Sequence, residues 1–138
     1  MSLLASGLED VIGDSESLAR FITSSGHFAK TTGRVKYPAF LPDKTDHETS
    51  VFRVNALDES QISKVGSDNV PNGHFHGAAI VLARVAREAH LEVAADEPPH
   101  RHGVFRNWPK DDDPIAQKSA RMSIAEEIAE DAFFSPRV

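Results

Sequence analysis

The chain has no cysteine, one tryptophan, one tyrosine and no hydrophobic run that approaches the roughly 18 residues of a membrane span. Without cysteine there are no disulfides, no thiolate nucleophile and no Cys-based zinc or iron–sulfur site. The absence leaves compartment open, because a cysteine-free domain is stable in either redox environment. The N-terminus, Met1-Ser2-Leu3-Leu4-Ala5, lacks the basic start and long apolar core of a signal peptide, and acids follow at Glu9 and Asp10. A cytoplasmic protein with no membrane association is expected. No HExxH, GxSxG or Walker A spacing occurs, so no metalloprotease, nucleophile-elbow or P-loop reading is available and no cofactor is implied.

Within these limits, 138 residues with 40% hydrophobic and 26% charged content suit one soluble domain spanning 1–138. A chain of this size buries roughly two-thirds of its unfolded surface, enough for a core without staples. The net charge of −6 argues against non-specific duplex binding, which depends on phosphate neutralisation. The charge is uneven, however. Residues 20–53 carry six basic side chains against three acids, and residues 111–138 carry three against seven. The first segment is compatible with a local pocket for an anionic ligand, although a solvated surface of mixed charge is the more ordinary reading.

Local signals predict an α+β domain: a small mixed or antiparallel sheet with helices on one side and a long C-terminal helix. Residues 1–13 approximate a short amphipathic helical extension, and Asp14 or Ser15 caps a second helix, with Leu18, Phe21 and Ile22 on one face, that stops in Ser24-Ser25-Gly26. Val35 to Leu41 reads as an edge strand because it contains Pro38. Ser50 to Val54 is the clearest strand, with Val51 and Arg53 on one face and Phe52 and Val54 on the other. Asp58 and Gln61 form a capping box for a helix that Gly66 is expected to close. Residues 78–90 fit either one helix or, as the preferred reading, a strand over 78–82 and a helix over 83–90, and Leu91–Ala95 and Val104-Phe105 are expected as strands around the Pro98-Pro99 turn. Asp113-Pro114 starts the last helix, expected to run over 113–133 with a buried stripe from Ile115 to Phe133.

Chemistry concentrates in residues 98–109, which hold His100, Arg101, His102, Arg106 and Trp108 and no acid, and in the pair His74 and His76. Alternate residues of a strand share a face, so each His-x-His pair can aim two imidazoles together. His74, His76, His100 and His102 are therefore candidate metal ligands, although ordinary surface histidines fit the same pattern and no metal is assigned. A metal-free alternative uses His76 and His102 as an acid/base pair in a hydrolase or nuclease-like site. Binding candidates are His27, Lys30, Arg34, Arg53, Arg101 and Trp108, the last either stacking on a ligand or anchoring the core. If Arg53 faces inward, its guanidinium demands a partner. No Ser-His-Asp set is identifiable, since Ser24, Ser25 and Ser50 have no evident base in the sequence.

The ordered segments Ser17–Ile22, Ser24–Phe28, Ala39–Pro42, Ser50–Arg53, His76-Gly77 and Arg101-His102-Gly103 with Asn107-Trp108-Pro109 resemble a family of small, single-domain bacterial hypothetical proteins of unknown function. The likeness spans residues 15 to about 125. It implies a free-standing bacterial cytoplasmic protein, carries no activity, and singles out His27, Arg53, His76, Arg101, His102 and Trp108; His74 and His100 lie outside it. The leading expectation is a binding or accessory module that recognises an anionic ligand or a protein partner through a basic His/Arg cleft, with the small hydrolase as the alternative. Whether the protein is an enzyme stays open at this level.

Overall fold

A computed structural model describes residues 2–138. Its centre is a six-stranded, wholly antiparallel sheet in the order β4-β5-β2-β1-β3-β6. The strands are β1 (Ser17–Ile22), β2 (Thr49–Arg53), β3 (Gly77–Leu82), β4 (Glu92–Ala95), β5 (His102–Arg106) and β6 (Phe133–Pro136). Three helices complete the α+β fold: α1 (Glu59–Asn69), α2 (Ala83–Glu88) and α3 (Pro114–Glu130).

Period-two alternation divides the core into two layers. Leu18, Ile22, Val51, Ala79, Val81, Val93 and Phe105 face one way, where they meet α2, the turn Tyr37–Phe40 and the Ala125, Ile128 and Ala129 face of α3. Ala19, Phe21, Val54, Ala78 and Ile80 face the other way and meet Ile62 and Val65 of α1. Two helices thus share one side, as expected, and α1 covers part of the opposite face.

Where turn and cap chemistry dominates, the expected elements form. Asp58 and Gln61 close a reciprocal capping box on α1, and Asp113 caps α3 with Pro114 in the first turn. The strand-then-helix reading of 78–90 holds, as do the strands either side of Pro98-Pro99.

Other expectations are corrected. Residues 14–22 form no helix: β1 lies between β2 and β3 and is buried on both faces, which erases the polar alternation that marks a strand. Described residues of the 1–13 extension form a turn closed by a Leu3–Glu9 bridge, with Gly7 at φ 87° and Ser6 held by Glu97. Residues 35–41 contain a 3-10 turn, Tyr37–Phe40, with Pro38 in its first turn. α3 stops at Glu130, Ile115 is 80% exposed, and Phe133 leaves the helix to begin the edge strand β6. Aromatic residues at 133 and 134 and the open edge of β3 outweigh continued helix there.

Two glycines are sites of close approach. Gly66 does not close α1 but lies inside it, where a Cβ would come within 2.6 Å of Phe75 and 2.8 Å of Phe21. Gly77 begins β3 against β6, and a Cβ there would meet the Ser135 carbonyl and come within 2.7 Å of Phe134. A backbone atom cannot swing aside as a side chain can. Gly77→Ala is therefore expected to lose about 1–3 kcal/mol through overpacking. Urea melts would read the loss, and weakened amide protection confined first to β6 would locate it.

Candidate functional site

Registered pairing of β1 with β2 covers only Leu18–Arg53 and Ala19–Phe52, after which the strands part. Arg20 fills the wedge. Its Nε donates to the Ala39 carbonyl at 2.9 Å and its Nη1 to the Ser50 carbonyl at 3.1 Å, replacing the partner that β1 would have offered. The parting opens a cleft of about 360 Å³, lined on its polar side by Arg20, Thr23, Ser50, Asn69 and His102. Phe21, Phe52, Val70, Pro71 and Pro99 supply apolar walls. Desolvation lowers the Arg20 pKa from its ordinary value while nearby Asp43 opposes the shift; the guanidinium remains a cation. His27, at the end of the 3-10 turn Ser25–His27, has a pKa lowered first by burial and then by the charge of Arg20.

On the far wall, β5 pairs with β2 on one side and β4 on the other. That pairing puts His102 between Ser50 and Asp96. His102 Nδ1 lies 2.8 Å from the Asp96 backbone carbonyl and 3.2 Å from its carboxylate, and Nε2 lies 3.1 Å from Ser50 Oγ. Both Asp96 oxygens can only accept, so Nδ1 carries the proton in the neutral ring and Nε2 accepts from the Ser50 hydroxyl. The Phe52 ring meets the imidazole edge-on at 5.3 Å between centroids and fixes its plane. His102 is 13% exposed at its side chain, whereas Ser50 is open to the cleft.

Of the residues singled out in the sequence, His102 lines this cleft and His27 lies within the electrostatic reach of Arg20. The others disperse. His76 is exposed and packs on Phe28 at 5.6 Å between centroids, so the proposed His76–His102 acid/base pair does not form at the cleft. Arg53 is 2% exposed and makes a bidentate pair with Glu16, plus a bond to the Glu9 carbonyl; this is the partner its inward face demanded, and it removes Arg53 from ligand binding. Trp108 is 3% exposed and donates to the Phe105 carbonyl, so it anchors the core and cannot stack on a ligand. Lys30 and Arg34 are exposed, and Arg34 lies in a separate depression with Glu126 and Glu130. Arg101 donates to the Arg53 carbonyl and borders another hollow with His100 and Lys64. A continuous basic cleft through residues 27–34, 53, 76 and 101–108 is thus not formed. His74 and His100 are exposed, and among the described residues no three His, Asp or Glu side chains converge as a metal site would require. No described helix is long and apolar enough to cross a membrane.

Sequence reasoning missed Arg20, Ser50 and Asp96. Arg20 was hidden by its assignment to a helix. Ser50 does have an imidazole within hydrogen-bond distance, from a residue 52 positions away. Asp96 carried a signal: two strands hinged at Pro98-Pro99 place residues 96 and 102 opposite one another, and the Asp96 amide does donate to the His102 carbonyl at 2.9 Å.

No protein-family model matches the chain, and no curated protein or solved structure shows significant similarity to it. The class that fold and site define is therefore an antiparallel α+β domain with a half-apolar cleft in a parted sheet.

Proposed function

We propose that the cleft between β1 and β2 binds a small molecule bearing one carboxylate-like anionic group on an apolar body. The observation that carries this reading is Arg20: two nitrogens are fixed by backbone carbonyls, and the residue lines a cleft whose other walls combine apolar side chains with the uncharged polar groups of Thr23, Ser50 and Asn69. A cation already held in place loses little freedom on binding, so its charge is available for recognition. The volume is at the lower end for small-molecule sites, which favours a compact ligand over a polyphosphate or a protein surface.

Phenylacetate is a suitable probe and phenylacetamide its neutral counterpart. In an NMR titration of the whole chain, phenylacetate is expected to shift the amides of Arg20, Ser50 and His102 and to bind at least about fivefold more tightly than the amide, a margin typical of a charge-assisted hydrogen bond. Arg20→Lys should remove that preference, because ammonium cannot satisfy two fixed carbonyls and still present a planar edge. Equal response to acid and amide in the native protein, or shifts confined to other surfaces, would overturn the proposal without any variant being made.

A further inference from the structure

We infer that Ser50 is a nucleophile, activated by His102 and positioned with help from Asp96, and that the same cleft hydrolyses small carboxylic esters. The inference shares the cleft with the binding reading but does not rest on its anion: it stands on the Ser50–His102–Asp96 chain and is tested with a neutral ester.

Three observations converge. The imidazole is held in the tautomer that a general base requires, because the Asp96 carbonyl takes Nδ1–H and leaves Nε2 to the hydroxyl. The ring cannot easily turn away, since Phe52 packs against it and the β4–β5 ladder fixes Asp96. Ser50 is exposed and lines the open cleft, whose walls are half apolar. A serine that merely stapled β2 to β5 would need none of this room. Such hydrogen-bonded sets are recognised by geometry and role rather than by sequence order.

The chemistry closes without a metal or an oxidant. Ser50 Oγ forms a bond to the ester carbonyl carbon while its proton passes to His102 Nε2. The tetrahedral oxyanion that forms lies in the cleft that Arg20 charges. Collapse breaks the carbon–oxygen bond to the leaving alcohol, which takes the proton from Nε2, and leaves an acyl-Ser50 ester. Water then attacks that ester, gives its proton to Nε2, and the carboxylic acid departs as Ser50 Oγ is reprotonated. Asp96 touches neither reacting atom; it is a positioning residue.

The test uses 4-nitrophenyl acetate with the full chain, and a fluorophosphonate as a covalent probe. Native protein should release 4-nitrophenolate with saturation kinetics, and peptide mass analysis should place both the trapped acetyl group and the phosphonyl label on Ser50. Ser50→Ala and His102→Gln should each lower the saturable rate by about 100-fold, the lower range for loss of a nucleophile or its base. Asp96→Asn should lower kcat by less, about tenfold or below, with KM unchanged, because the backbone carbonyl still fixes the tautomer. His76→Ala should leave the rate intact, which separates the site from acetyl transfer to surface histidines. If Ser50→Ala keeps the native rate, or the label falls elsewhere, the nucleophile assignment fails, whether or not phenylacetate binds. Ester turnover with no phenylacetate preference would instead remove the anion reading alone. Native-like amide spectra of each variant guard against a loss caused by unfolding.

Discussion

Replacing Arg53 with alanine is expected to destabilise the fold by about 3–5 kcal/mol, a large share of the roughly 5–15 kcal/mol that holds a domain folded. Arg53 is 2% exposed, and its guanidinium meets Glu16 through Nε at 2.9 Å and Nη2 at 2.8 Å while Nη1 holds the Glu9 carbonyl. Truncation strands the Glu16 carboxylate, whose side chain is only 18% exposed, and frees the turn that precedes β1. The cost is that of an unpaired buried charge rather than the net worth of the pair. Adding Glu16→Gln to Arg53→Ala should therefore recover part of the loss, and a double-mutant cycle by urea unfolding reads the coupling.

Acidity supplies a second handle on the same pair. Burial works to raise the Glu16 pKa, but the hydrogen bonds from Arg53 and the Gly13 amide, with the charges of Arg53 and Arg87, outweigh it and bring the pKa below the ordinary 4.5. A carboxyl depressed in the folded state adds stability that is complete above its unfolded pKa and is lost as pH falls through the folded one. Stability of the native chain should thus decline on acidification below 4.5, and Glu16→Gln should flatten that decline. An unchanged slope in the variant would assign acid sensitivity to other carboxylates.

The same residue shows what a sequence can and cannot disclose. Alternation through Ser50–Val54 put Arg53 and Val51 on one face, and the need for a buried partner followed, but Glu16 lies 37 positions away and only the pairing of β1 with β2 brings it near. Local chemistry was legible where it is self-contained, as in the Asp58–Gln61 capping box and the Asp113-Pro114 helix start. β1 was not, because burial on both faces produces an apolar run whose spacing mimics a helix. The site divides in the same manner. His102 stood out by composition, and Asp96 was within reach through the β4–β5 hairpin. Ser50 and Arg20 required the order β5-β2-β1, a non-local fact that no window of sequence contains. Arg34, singled out for charge alone, lies exposed in a separate depression, and Trp108 takes the core-anchor role that was one of its two readings.

Trp108→Ala is expected to be as damaging as the loss of Arg53, at about 3–5 kcal/mol. Its indole, 3% exposed, is part of the cluster that joins Phe105 of β5 to Phe40 and to Ala125 and Ile128 of α3. Truncation opens a cavity where the sheet, the Tyr37–Phe40 turn and α3 meet, and also leaves the Phe105 carbonyl without its donor at 3.2 Å. Trp108→Phe separates the two terms: it keeps most of the apolar volume and loses the hydrogen bond, so it should cost about 1–2 kcal/mol beyond the size change. The cleft between β1 and β2 includes no Trp108 contact, so phenylacetate affinity in the Phe variant should match that of the native chain. Were affinity to fall while the fold held, the indole would have to reach ligand through a movement of β5, and the anchor assignment would be wrong. A stable Ala variant would mean that α3 is held by its own packing on Tyr37–Phe40, where Ala39 and Phe40 are fully buried beneath it.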